Sequence, residues 1–112
     1  MEIKPFWSNT AFMSVILHIN NNGRAILSGS VIGNSGTRSI TVNAVLERVN
    51  PNGTHIHIVS FNNLRATGII WDWERSHYVA RGHLYRLTLR ATVVCRNGTS
   101  EVVTISWMER AN

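Results

Sequence analysis

This chain of 112 residues has little cysteine, little acid and no long apolar run, and each shortage excludes a class of protein. Cys95 is the only cysteine, so the chain can form neither an internal disulfide nor a cysteine-based zinc site. No apolar stretch approaches the ~18 residues of a membrane span. Charged residues account for 15% of the chain, which is low for a coiled coil or a charged disordered tail. With 44% hydrophobic residues, we expect one compact domain with a single core.

The familiar motifs of catalysis are also missing. The sequence contains no HExxH, nucleophile elbow, phosphate loop or spaced pair of carboxylates, so we expect a protein that is not an enzyme and uses no cofactor. Eleven basic residues, ten of them arginine, stand against six acidic ones and give a net charge of +5. That balance favours anionic partners such as cell-wall polymers, lipid headgroups or nucleic acid, although it also serves simply to keep a small domain soluble.

What the sequence does contain is a series of short runs in which apolar and polar residues alternate, interrupted by Asn-Gly pairs. A period of two is typical of strands buried on one face, and Asn-Gly is typical of tight turns. The pattern predicts seven strands, at about 11–19, 24–32, 38–49, 54–62, 69–74, 84–95 and 99–107. Seven short strands indicate an all-β, antiparallel, immunoglobulin-like sandwich of two sheets. We assign residues 10–112 to this domain and residues 1–9 to an N-terminal segment.

The parity of the apolar positions predicts the loop lengths of the first and last hairpins. Three-residue loops that end at Gly23 and Gly98 place the apolar residues of both strands on one face, and the last hairpin then pairs Leu89 with Ile105. Each glycine takes a positive φ in such a loop, a conformation that a residue without a Cβ adopts easily.

The middle hairpin, which turns at Gly53, is less clearly defined. A three-residue loop pairs Leu46 with Ile58 and Glu47 with His57. Two sets of apolar residues then compete for its core face: Ile40, Val42, Leu46, Ile56 and Ile58, or Val45, Val49, Val59 and Phe61.

Residues 82–91 resemble the start of the sixth strand of fibronectin type III and immunoglobulin-like domains, where a glycine-containing turn precedes a tyrosine and alternating apolar residues. Gly82 and Tyr85 are the matching residues. The resemblance implies a tyrosine corner, in which the Tyr85 hydroxyl bonds back to the backbone of the loop 75–82. It also implies that predicted strands one, two and five form one sheet and the other four form the second.

The chain as a whole resembles small secreted β-sandwich domains of Gram-positive bacteria that have no established activity. The shared features are a Ser-Gly-Ser-Val strand at 28–31, a Tyr-Val-x-x-Gly-x-x-Tyr-Arg stretch at 78–86 and a closing Asn-Gly hairpin. This resemblance implies a protein that is exported or held on the cell surface. Residues 1–5 show no signal peptide, so we expect either an intracellular protein or a chain whose leader has been removed.

His55 and His57 are spaced so that both rings project from the same face of a strand. Such a pair can supply two ligands to zinc, provided that a third comes from elsewhere. The sequence does not identify that third ligand; His18, Glu47 and Asp72 are candidates by residue type alone. The alternative is an exposed polar stripe with no metal.

Trp71 and Trp73 flank Asp72 with the same spacing of two. If the indoles are exposed, they suit a carbohydrate-binding face, since a sugar stacks its apolar C–H surface on such rings. If they are buried, they are the largest side chains of the core.

Arg86 and Arg90 project from one outer face, with Thr88 and Thr92 between and beyond them, and form a candidate strip for anions. Three further arginines lie in the neighbouring loops, namely Arg75, Arg81 and Arg96. Because no aromatic residue alternates with these arginines, the strip is a poor platform for single-stranded nucleic acid. The alternative is a set of solvated arginines at a sheet edge.

These patterns together predict a non-catalytic binding or structural domain whose partner is a protein or glycan at the cell surface. One alternative is a carbohydrate-binding module that uses an exposed tryptophan. Another is a self-assembling surface or filament subunit, which would associate through strand edges or through residues 1–9, where Phe6 and Trp7 lie.

Overall fold

The computed structural model describes residues 9–112 and the backbone of residues 2–3. The described residues form eight strands: β1 (Glu2–Ile3), β2 (Thr10–Ile19), β3 (Arg24–Gly33), β4 (Thr37–Val49), β5 (His55–Thr67), β6 (Ile70–Tyr78), β7 (Leu84–Cys95) and β8 (Ser100–Arg110). The seven strands that the alternation predicts are β2 to β8, while the two-residue β1 was not predicted. Most of the predicted segment 1–9, including Phe6 and Trp7, lies outside the described residues. None of the described residues belongs to a helix capable of crossing a membrane.

The strands form two antiparallel sheets that face each other. The first sheet has the order β1-β2-β3-β6, and the second has the order β5-β4-β7-β8. This confirms the predicted seven-stranded sandwich and the division of the strands between its sheets. The chain crosses between the sheets through residues 33–36, where the Thr37 N–H donates to the Asn34 carbonyl at 2.9 Å.

The core lies between the sheets because alternate side chains of each strand point inward. The inward residues of the first sheet that are buried include Met13, Val15, Leu17, Ala25, Leu27, Val31, Trp71 and Trp73. Those of the second sheet include Ile40, Val42, Ala44, Leu46, Tyr85, Leu87, Leu89, Ala91 and Val93. Cys95 is buried at the end of β7, as expected for a small core residue.

The first and last hairpins have the predicted three-residue loops. Leu17 pairs with Leu27 and Leu89 pairs with Ile105, as parity required. The turn glycines all take a positive φ, namely 85° at Gly23, 88° at Gly53 and 88° at Gly98.

Asparagine side chains close all three of these turns. The side-chain oxygen of Asn22 accepts from the Arg24 N–H at 3.0 Å. The Asn97 carbonyl oxygen accepts from the backbone N–H of Thr99 at 3.0 Å and from its hydroxyl at 2.7 Å. Asn52 and Thr54 repeat the arrangement at 3.1 and 2.7 Å. Turn chemistry therefore accounts for both Asn-Gly-Thr sequences.

The middle hairpin departs from the prediction. Glu47 pairs with His57, but Leu46 pairs with Val59, because Ile58 is an extra residue that bulges from β5. A second bulge separates Phe61 from Leu64. The predicted Leu46–Ile58 pair is therefore wrong. The first of the two competing core sets is correct for β4, which turns Ile40, Val42 and Leu46 inward. In β5, Val59 and Phe61 of the second set pack against the core, and so does Ile58 of the first.

The loop between β6 and β7 is tied to the core by Tyr85. This side chain is buried, and its hydroxyl donates to the Ala80 carbonyl at 2.6 Å. The loop turns at Gly82, whose φ is 84° and whose N–H donates to the Ala111 carbonyl at 2.6 Å. Tyr85 thus fills the core while its oxygen satisfies a loop carbonyl.

Candidate functional site

The outer face of the second sheet carries an open cavity of about 440 Å³. We call this surface the arginine face, and it consists of the residues that line the cavity: Asn43, Val45, Glu47, Asn62, Arg86, Thr88, Arg90 and Thr104. Most of these are outward-facing residues of β4 and β7, the two inner strands of the sheet. The predicted arginines therefore lie near the middle of a sheet and not at its edge.

Arg86 is held in place by two neighbours. Strand register sets Glu47 opposite Arg86, and the guanidinium donates to the Glu47 carboxylate at 2.9 Å. The same nitrogen lies 2.7 Å from Nδ1 of His55. Because a guanidinium can only donate, that imidazole nitrogen accepts, and the ring carries its proton on Nε2. The charge of Arg86 is thus largely balanced within the protein.

Arg90 is the opposite case. It is exposed, four residues further along the same strand, at a distance of about 13 Å along β7. It stands between Asn43 on β4 and Thr104 on β8. Among the described residues, no carboxylate or hydrogen-bond acceptor engages its guanidinium. Arg90 therefore offers an unpaired fork of donors in the middle of a polar cavity.

Charge is distributed unequally between the two outer faces. Strand alternation places Arg65 and Arg110 on the same side of the second sheet as Arg86 and Arg90, with Glu47 as their main counter-charge. The outer face of the first sheet carries two exposed acidic residues on β6, Asp72 and Glu74, and one exposed arginine on β3, Arg24. An anion approaching the molecule is attracted more strongly to the arginine face than to the face opposite.

The predicted metal pair does not assemble. His55 is engaged by Arg86 and lies 3.8 Å from a Glu47 carboxylate oxygen, whereas Nε2 of His57 bonds to the Ser60 hydroxyl at 2.6 Å. No group of three histidine, cysteine or acidic side chains able to hold a metal occurs in the described part of the chain. Two of the possible third ligands, His18 and Asp72, belong to the other sheet.

Trp71 and Trp73 do not form the exposed pair of tryptophans that a sugar-binding surface requires. Trp71 and Trp73 are 3% and 8% exposed, and their rings stack against each other at 6.0 Å inside the sandwich. Both point inward because strand alternation sends the intervening Asp72 outward, where its carboxylate accepts from the Ser30 hydroxyl at 2.7 Å. Both indoles are therefore core residues, as the alternative interpretation predicted, and they do not offer a sugar the exposed rings that the carbohydrate hypothesis requires.

The three further arginines do not line the arginine face, and Arg75 lies within β6 and not in a loop as predicted. Arg75 lies over the Trp73 ring at 5.8 Å, and the Arg81 guanidinium donates to the Asn21 carbonyl at 2.9 Å. Asn43 and Thr104 line the site but were not predicted from the sequence to belong to it. Strand alternation indicates that both side chains point outward. Their position beside Arg90 could not be predicted, because the alignment of neighbouring strands comes from long-range pairing that no local pattern reveals.

The chain matches no family model and no curated protein. Among solved structures, it is similar to part of a Bacteroides uniformis β-glucuronidase 2 covalently bound to cyclophellitol-6-carboxylate aziridine, with a TM-score of 0.52 and 13% identity. The match covers 91% of this chain but only 13% of that one. A Pseudomonas fluorescens alkylpurine DNA glycosylase AlkC, bound to DNA containing an abasic site analog, matches with a TM-score of 0.49 and 17% identity over 88% of this chain and 30% of that one. These likenesses concern the fold alone.

Proposed function

We propose that this chain is a non-catalytic binding domain that holds an anionic group of its partner on the arginine face. The observation that carries the proposal is the exposed, unpaired guanidinium of Arg90 in the middle of a polar cavity. A guanidinium in that position binds a carboxylate or phosphate through two parallel hydrogen bonds. Asn43 and Thr104 flank it and can donate further hydrogen bonds to the same anion.

Arg86 contributes to ligand binding indirectly, by organising the arginine face. Its hydrogen bonds to Glu47 and His55 fix its position, so the face is organised before a ligand arrives. The cavity is open and shallow, which suits one acidic unit of a longer polymer or protein segment better than an enclosed small molecule. None of the described residues that line it is aromatic, which disfavours recognition of nucleic acid by base stacking.

The absence of catalysis is part of the proposal. The described residues contain one serine–histidine contact, the 2.6 Å pair of Ser60 and His57. No carboxylate orients the His57 ring, since the nearby Glu47 is bound to Arg86. The pair thus has a hydroxyl and an imidazole but lacks the orienting acid of a nucleophilic triad.

We also propose that the domain acts outside the cell or on its surface. This rests on the resemblance of residues 28–31 and 78–86 to secreted Gram-positive domains. The Tyr85–Ala80 hydrogen bond supports a tyrosine corner and hence kinship with immunoglobulin-like and fibronectin type III domains. The anionic partner is then an acidic glycan or an acidic protein of the surface.

Two polyanions test the arginine face: alginate, which carries carboxylates, and polyphosphate. We expect the protein to bind at least one of them, with an affinity that falls as salt is added. Arg90→Gln should weaken that binding about tenfold, which corresponds to ~1.4 kcal/mol. Arg96→Gln is the matched control, since it removes the same charge from an exposed turn residue outside the cavity, and it should change the affinity less than about twofold. Failure of both polyanions to bind, or equal losses in the two variants, would refute the proposal.

A further inference from the structure

The two sheets of the sandwich differ in width. The second sheet has four long strands, whereas the first has three, with the two-residue β1 at its far edge. On one side of the molecule the edge strands β5 and β6 meet through the rings of Phe61 and Trp73, which lie 5.4 Å apart and edge to face. Strands β5 and β6 therefore form the margin of the sandwich on this side, and no described strand lies beyond either of them.

Part of the apolar inner surface of β5 remains accessible to solvent at this margin. The inward residues Val59, Phe61 and Leu64 of β5 are only half-buried, although their neighbours on β4, such as Val42 and Leu46, are fully buried. We call this strip, together with Trp73, the open seam. It consists of inward side chains at the margin of the sandwich, and among the described residues Arg75 covers part of it, with its guanidinium 5.8 Å from the centre of the Trp73 ring.

The edge of β6 beside the open seam is unpaired. The Ile69 carbonyl accepts from Gly33 and the Val79 N–H donates to Gly23, so odd-numbered residues direct their backbone groups toward β3. The N–H and C=O groups of the even-numbered residues therefore point away from the sheet; these residues are Ile70, Asp72, Glu74, Ser76 and Tyr78. Only one of these carbonyls, that of Glu74, has a partner, the guanidinium of Arg75 at 2.9 Å.

Parts of two other edges are less available for pairing. Strand β5 carries two bulges and a residue of positive φ, Asn63 at 57°, all of which hinder the addition of a strand. The beginning of β8 is joined to β2, because the Glu101 carboxylate accepts from the Asn9 N–H and the Thr10 hydroxyl, both at 3.0 Å. Strand β6 has neither bulge nor proline nor lysine over its nine residues.

A buried donor at the open seam also lacks an acceptor. The indole N–H of Trp73 is buried, and no hydrogen-bond acceptor engages it among the described residues. Leaving a buried donor without a hydrogen bond is unfavourable, so an acceptor brought by a partner would be favoured there.

We propose that an extended segment of another protein adds to the free edge of β6 as a further strand of the first sheet. Its backbone pairs with the even-numbered residues of β6, and one set of its side chains is apolar and covers the open seam. The other set is basic and lies on the outer face beside Asp72 and Glu74. A second copy of β6 does not fit, because antiparallel pairing of two such strands would bring these carboxylates together on one surface.

The probe for this site is a synthetic peptide of about eight residues in which valine and lysine alternate, compared with one in which valine and glutamate alternate. We expect the valine–lysine peptide to bind at least about tenfold more tightly and to slow the hydrogen exchange of the Asp72 and Ser76 amides. The arginine face repels this cationic peptide, so Arg90→Gln should leave its binding unchanged and separates the two proposals.

Two variants, one of them with a matched control, test whether the peptide binds at the edge of β6. Ser76→Pro removes an outward N–H without touching the pairing to β3, and should weaken the peptide about tenfold. Ser100→Pro, the matched control, removes an outward N–H at the β8 edge and should leave binding unchanged. Asp72→Lys combined with Glu74→Lys keeps the backbone and should reverse the preference toward the valine–glutamate peptide.

Three results would overturn the proposal. One is that neither peptide binds the parent protein. Another is that the valine–lysine peptide protects the amides of β8 instead of those of β6. The third is concentration-dependent dimerisation that protects the β6 amides in the absence of peptide, which would make a second copy the occupant.

Discussion

The hydroxyl of Tyr85 donates a hydrogen bond of 2.6 Å to the carbonyl oxygen of Ala80, five residues earlier in the chain. A side chain in the core thereby fixes the loop that leads into β7. Tyr85→Phe keeps the ring and removes only this bond, so we expect the free energy of unfolding to fall by about 1 kcal/mol. Urea denaturation measures the change. Tyr78→Phe is the control, because Tyr78 is 67% exposed, and its stability should stay within about 0.5 kcal/mol of the parent.

The same phenol should make the fold sensitive to alkali. Burial raises the pKa of Tyr85 above its ordinary value, and the positive charge of Arg48 offsets this only in part. The folded state thus keeps a proton that the unfolded chain loses more easily. The stability that Tyr85 supplies is complete below the ordinary tyrosine pKa, and it falls as the pH rises from there through the raised pKa.

Urea denaturation at a series of alkaline pH values tests this sensitivity. The Tyr85→Phe protein should lose stability less steeply with pH than the parent, whereas Tyr78→Phe should follow the parent. Parallel curves for the parent and Tyr85→Phe would show that another group governs alkaline unfolding.

The strands and two of the three hairpins could be predicted because their information is local. In the last hairpin a single choice of loop length puts Leu89, Ile105 and their neighbours on one face, and parity leaves no second solution. The middle hairpin could not be predicted in the same way. A bulge at Ile58 changes the parity within one strand, so the simple pairing of Leu46 fails.

The candidate site could likewise be predicted only in the part that depends on local sequence. The common outer face of Arg86 and Arg90 follows from their spacing of four on one strand, and the structure places both on the arginine face. Their different environments depend on which β4 residue stands opposite each. Register puts Glu47 beside Arg86 and Asn43 beside Arg90, and this long-range alignment leaves only Arg90 unpaired. No local pattern contains that distinction.

Gly29 should be essential to the packing between the sheets. It occupies an inward position of β3, where an added Cβ would collide with Cδ1 of Leu89 and lie 3.3 Å from the Trp71 ring. Both neighbours are buried and have little room to move. We expect Gly29→Ala to lower the free energy of unfolding by about 1–3 kcal/mol.

Thermal or urea denaturation checks this expectation. Gly36→Ala is the control, because a Cβ at that loop position meets nothing within 4 Å, and it should change stability by less than about 0.5 kcal/mol. Equal stability of the two alanine variants would mean that Leu89 relaxes freely and that the sheets are packed more loosely than the structure indicates.

Glu47 limits how strongly the arginine face can attract an anion, because its carboxylate neutralises Arg86 at 2.9 Å. Glu47→Gln removes that charge and leaves the guanidinium free to engage a ligand, so we expect alginate or polyphosphate to bind about three- to tenfold more tightly. Both partners are partly exposed, so the loss of stability should not exceed about 1 kcal/mol. Asp72→Asn makes the same change of net charge on the opposite face and should leave the affinity within about twofold of the parent. If Asp72→Asn tightened binding as much as Glu47→Gln, the overall charge of the protein and not the arginine face would determine the affinity.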